Sequence, residues 1–476
     1  MSTKRVLTVV YPLVIATLVA VLMTSCAVPV VTPAPAGAPA EEAPAEDAKE
    51  VFLDVGEQPE ITILINESPW YPGFEGVVEL YEEQTGNVVN LDVVPYNGML
   101  EKVRNSVRDV ESPYDVVNIN GLWLAEFYPG EFLAPIKEID PEFELDPALW
   151  DYDETLYWNH DTNWFTKDGG VLYGIPTNSN ITLFFYRGDL YEEAGLEPPD
   201  TWEDLFELCE NEKLHNPPDL YCIVQRGERG NHIAFDSFPF VFAYGGGFWA
   251  DPKNQDWTVT LNSPENKKGL DMYVDLATTY GPPDVGAITQ GELIDYLVTG
   301  KAANAPVITA AWAAMDDPDR SAVVGDVQVK VIPGGEGGTR VSALGQWAAG
   351  IPDNLPDERK QAALAFLKWF LTYDAQYKYA EFGGVPVHQG VFESELGDEF
   401  EFRWMKAQAD SRPYLLQTYP TQEAAEIEQV IGLRYNQALI GELSTAEALN
   451  AAAEEIHQIM MDAGKPKTGK LPDLPE

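Results

Sequence analysis

Between residues 60 and 128 three β-type runs each lead into a helical pattern, and that alternation constrains the fold more than any other feature. Residues 60–66 read as a strand, 67–72 as a loop broken by Pro69 and Pro72, and 76–84 as a helix. A strand at 88–94 with a helix at 99–108, then a strand at 114–119 with a helix at 124–128, repeat the unit. Strands returning to one sheet through helices run side by side in the same direction, so the expectation is an α/β protein with a largely parallel sheet. Ligands gather at the carboxyl ends of such strands. The loops there are 67–71, with Glu67 and Trp70, and 120–123, with Asn120 and Trp123.

Residues 172–175 and 181–186 are short apolar runs, and Pro176-Thr177-Asn178-Ser179-Asn180 between them is polar without charge. A backbone passing from strand through an amide-rich step into strand and helix suits a crossing between two lobes. Asn178 and Asn180 then sit where a ligand would be held. Beyond it, helices are expected at 201–211, 234–244, 264–280, 291–298, 357–371, 374–382, 422–440 and 445–463. Strands are expected at 221–225, around 257–261, at 305–309 ending by Ala311-Trp312, and at 327–332, with a further crossing at 342–351.

With 476 residues the chain can build two or three cores. A formal charge of −47 argues against nucleic acid or an anionic membrane surface as partner. At the N-terminus Lys4 and Arg5 precede an apolar run at 6–22, and Met23-Thr24-Ser25 leads to Cys26. This resembles a bacterial lipoprotein signal over residues 1–25, with Cys26 lipidated and a Pro-, Ala- and Glu-rich spacer over 26–58. An uncleaved anchor is the alternative, and either puts the remainder outside the cytoplasm. Cys209 and Cys222 are a plausible disulfide in that compartment, against two unpaired thiols. No CxxC is present, and Asp316, Asp317 and Asp319 lack the Gly and Glu of a calcium loop, so no metal site is expected.

Several segments in order carry a resemblance: YDVVNINGLWLAEF (114–127), LYGIPTNSNITLFFYRGDLYEEAGLEPPDTWEDL from 172, GKAANAP (300–306), SALGQWAAGIP (342–352) and FGGVPVHQGVF (382–392). Together they resemble the extracellular solute-binding proteins of bacterial ABC importers, of the carbohydrate type. The segment 225–249 is most similar to members that take up sugars and sugar alcohols. The resemblance implies a two-lobe periplasmic-binding-protein fold, type II-like, with discontinuous lobes joined by three crossings and a ligand cleft between them. The implied division is 59–177 plus about 307–346 as the N-terminal lobe, 178–306 plus about 347–464 as the C-terminal lobe, and 465–476 as a tail. It further implies a monomer without cofactor or catalytic residues, handing a sugar or polyol to a permease. Asn120 and Asn180 fall where relatives hold sugar hydroxyls, and Trp312 and Trp347 fall on indoles of the family's motifs. Gln346 replaces a usual glycine, and His388 a usual arginine.

A sugar presents hydroxyls at its edge and C–H groups on its faces, so amides, carboxylates and indoles are its complement. The ligand-binding candidates are Trp312, Trp347, Asn120, Asn180, Trp70, Trp123, Glu67, Asn178, Trp249 and Asp236. Trp202 and Trp369, at core spacing on helices, read as structural, and Arg226 and Arg229 as partners of neighbouring carboxylates. Rival readings are a secreted glycoside hydrolase, since carboxylates are plentiful, and a solute receptor for a sensor kinase.

Overall fold

A computed structural model describes residues 52–475 apart from 153 and 418; the signal sequence, Cys26 and the spacer through residue 51 lie outside the described residues. The last part of the expected spacer is not loose. Phe52 stacks on Trp369 with ring centroids 5.6 Å apart, and Asn87 Oδ1 accepts a hydrogen bond from the Gln58 backbone.

The first sheet is built from the β-runs that open the folded chain. Ile61–Asn66 lies between Val89–Val94 and Val116–Asn120, all parallel, with Tyr71–Thr85 and Tyr96–Arg108 as crossover helices. The first helix starts five residues before the expected 76, because Pro72 falls in its first turn, where a missing N–H costs nothing. Trp347–Gly350 joins antiparallel to Val116–Asn120, and Ile175–Asn178 closes the edge, so the sheet is mixed, with four of its five strands running the same way. Small residues let Trp347–Gly350 into the centre: a Cβ on Gly350 would lie 2.7 Å from Leu133.

The second sheet has the order Val327–Lys330, Thr182–Arg187, Ala302–Ile308, Tyr221–Ile223. Helix Pro264–Tyr280, starting where Ser263 caps its first turn, packs beside Ala424–Leu439 and Thr445–Asp462. A disulfide joins Cys209 to Cys222 here. The aromatic helix expected at 234–244 is two short helices, Asn231–Asp236 and Phe238–Val241, the second starting over Pro239.

Pairing reverses the expected allocation of the later segments. After Ala302–Ile308 the chain turns through Thr309–Ala311 and Trp312–Met315, then returns to the same sheet as Val327–Lys330. Residues 327–330 therefore belong with the second sheet, and 347–350 with the first. Among the described residues the links between lobes are residues 179–181, residues 344–346 and residues 393–403, the last running from the segment that pairs with residues 148–150 to helix Trp404–Asp410 on the second sheet; the passage near Trp312 is not one of them. The expected tail is a strand. Lys467–Lys470 runs parallel to Asp256–Val259, which also pairs with Trp249–Asp251.

Candidate ligand-binding cleft

Between the two sheets lies a cavity of about 440 Å3. Its first-lobe wall comes from the carboxyl ends of all three parallel strands: Asn66 and Glu67, then Pro95 and Tyr96, then Asn120 and Leu122. Strands running the same way bring their following loops to one edge, so the topology itself assembles this wall. The opposite wall holds Arg226, Arg229, Asn231, His232 and Gln290, with Glu428 from helix Ala424–Leu439.

Of the sequence candidates, Glu67, Asn120, Asn180 and Trp347 line the cavity. Asn120 Oδ1 accepts from Leu122 N at 3.0 Å, and Asn180 Oδ1 accepts from Ala310 N at 3.0 Å. Both amides are thus oriented by backbone. Trp347 is fixed by Trp123 at 5.9 Å, Trp70 at 6.1 Å and Tyr96 at 6.2 Å.

The other candidates are placed elsewhere. Trp70 and Trp123 are buried behind Trp347 and shape the cavity without lining it. Asn178 is fully buried: its Nδ2 donates to Tyr379 Oη at 3.0 Å and its Oδ1 accepts from Asn180 N, so it splints the strap. Asp236 is also fully buried, accepting from Arg226 Nε at 2.7 Å and from the Arg226 backbone at 2.9 Å; it positions Arg226 at the cavity. Trp312 stacks on Trp404 at 5.3 Å and meets Phe402, because the chain turns back here into the second sheet. Trp249 lines a different cavity, beside Trp257. His388 receives the Gly390 N–H in the first lobe.

Tyr96, Asn231 and Glu428 were missed. Asn231 Nδ2 donates to Glu428 Oε1 at 2.7 Å and to Tyr96 Oη at 3.3 Å, so the two lobes touch across the cleft. A signal for Glu428 exists: in its helix it sits on the buried stripe with Ile427, Ile431 and Tyr435, where a carboxylate is out of place. Burial pushes the Glu428 carboxyl up to about 7, against the Asn231 hydrogen bond and the charge of Arg226. Asp236 is raised by burial, with Arg226 opposing. Burial and then Arg226 hold the His232 imidazole down to about 4. Among the described residues there is no group of three or more His, Cys, Asp or Glu side chains placed to hold a metal ion. The cavity wall therefore offers amide, guanidinium and carboxyl edges around one indole, a pattern suited to a compact molecule with many hydrogen-bonding groups.

Two α/β lobes around such a cavity define a ligand-clasping protein. The description "Bacterial extracellular solute-binding protein" matches residues 66–377, and the chain belongs to that family, which works outside the cytoplasm. A mannitol-binding protein of Pseudomonas aeruginosa is 25% identical over 399 residues, covering 79% of this chain and 87% of the relative. A probable amino-acid ABC transporter periplasmic-binding protein of Sinorhizobium fredii is 24% identical, over 82% of this chain and 86% of the relative. The fold matches that of an ABC transporter solute-binding protein from Agrobacterium radiobacter in complex with ribitol, with a TM-score of 0.74, 22% identity, and 86% of this chain and all of that one covered.

Proposed function

We propose that this protein captures a sugar or sugar alcohol in the interlobe cavity and delivers it to the transmembrane subunits of an ABC importer by lobe closure. The reading rests chiefly on a cavity of about 440 Å3 whose wall alternates amides and ionisable groups around Trp347. Similarity to a mannitol-binding protein and to a ribitol complex supports the ligand class. A ligand touching both walls favours the closed arrangement, and only that difference in affinity shifts the population. The protein acts as a monomer, performs no turnover, and is tethered through a lipid on Cys26.

A zwitterionic ligand is the rival, since Arg226, Arg229 and Glu428 share the wall and one relative is named for amino acids. Against it, Arg226 is held by Asp236 and Glu428 by Asn231. Thermal unfolding with alditols, mono- and disaccharides and amino acids separates the two: at a hundredfold excess over Kd a true ligand adds about 2.7 kcal/mol. Trp347→Ala should weaken the winning ligand at least tenfold, roughly 1.4 kcal/mol, in calorimetry while the chain stays folded. Stabilisation by amino acids alone, or sugar released from glycosides, would overturn the reading.

A further inference from the structure

We propose that a second chamber, lined by Thr155, Trp164, Phe165, Phe242, Phe248 and Trp249, is an accessory binding site for a single flat ring with an apolar face, a pyranose or an aryl group. The chamber encloses about 390 Å3 and shares no lining residue with the polar cavity. Thr155, Trp164 and Phe165 come from the first lobe's hairpin region and Phe242, Phe248 and Trp249 from the second lobe, with Gln417 following strand Leu415–Leu416. Five of the six named walls are aromatic, so the complement is a planar face; the Thr155 hydroxyl accepts from Gln346 Nε2 at 3.0 Å and the Gln417 amide donates to Gly121 O at 3.4 Å.

The two walls are tied through Trp257, which meets Trp249 at 5.4 Å and Trp164 at 6.3 Å. Gln255 Nε2 donates across the same seam to Thr162 O at 3.3 Å. A ring held between Trp164 and Trp249 therefore touches both lobes and favours the closed arrangement independently of the polar cavity. Gly247 lines the chamber, and a Cβ there meets nothing nearer than 3.6 Å, so the space can be filled by substitution.

The test is fluorine NMR of the whole protein labelled with 5-fluorotryptophan, with Trp164→Phe and Trp249→Phe assigning the two signals. Methyl α-D-glucopyranoside, phenol and D-mannitol are titrated separately. Saturable shifts of the Trp164 and Trp249 signals by a ring probe, weakened about tenfold or more in Gly247→Leu, are expected. A response to the glucoside alone identifies a pyranose site, and to phenol alone an aryl site. Phe248→Leu provides a second variant if Gly247→Leu does not fold. No shift with either ring, unchanged ring-probe shifts in the variant, or mannitol shifts weakened as strongly by Gly247→Leu as the ring-probe shifts would overturn the proposal. The Trp347 signal, assigned with Trp347→Phe, reports the polar cavity separately, so the failure of one site is not read as failure of the other.

Discussion

Arg226 and Asp236 show why single residues here resist reading from sequence. Each is a charge removed from water, a costly placement unless both partners are met, and here a guanidinium and a carboxylate meet inside the second lobe. Among the described residues Glu428 has only the neutral Asn231 as hydrogen-bond partner, and its folded value of about 7 exceeds the ordinary 4.5. The folded chain thus holds this proton more tightly than the unfolded chain. Its contribution to stability is full below about 4.5, falls as pH rises toward about 7, and is constant above, a loss of roughly 3 kcal/mol. His232, lowered from 6.5 to about 4, acts with the opposite sign: stability is present above about 6.5 and lost as pH falls. The difference between wild type and Glu428→Gln isolates the carboxyl. In urea unfolding the variant should gain on wild type between about pH 4.5 and about pH 7, and parallel profiles would exclude the assignment.

At the scale of elements, local signals placed most of the chain. Helix Pro264–Tyr280 has its serine cap, proline in the first turn and apolar spacing all within reach of one another in sequence. Strand Lys467–Lys470, with its sequence KTGK, has no such signal; it exists because Asp256–Val259 offers an edge to pair with. Beyond it, Leu474 and Asn450 exchange two hydrogen bonds, and Asn262 donates to the backbone at residues 471 and 472. Ending the chain at residue 464 strips that edge and uncovers Trp257. The truncated protein should lose roughly 2–4 kcal/mol in urea unfolding yet keep affinity in the polar cavity, whose lining lies elsewhere. An unchanged midpoint would show that the strand only decorates the surface.

At the scale of the whole molecule, the lobes meet through Asn231 and Tyr96 across the polar cavity and through Trp164 and Trp257 at its far seam. Tyr96→Phe keeps the ring against Trp123 at 5.0 Å and removes the phenolic acceptor. Losing that bond, about 1 kcal/mol, should shift the closed-to-open ratio about fivefold toward open. In X-ray scattering the variant without ligand should have a larger radius of gyration than wild type, and saturating ligand should restore it. Identical radii without ligand would show that the contact does not latch the lobes.

By itself the sequence determined the α/β class, the first three strands and their helices, the crossing around Asn178 and Asn180, and the polar loops with Glu67 and Asn120. These depend on periodicity, capping and turn chemistry, which act over a few neighbouring residues. Tertiary structure alone decided that Trp347 faces the cavity while Trp312 packs on Trp404, and that Val327–Lys330 and Trp347–Gly350 fall in opposite lobes. It alone brought Asn231 and Glu428 together, 197 positions apart. Strand partners and cavity walls are set by contacts between distant segments, and no local pattern encodes which distant segment will arrive.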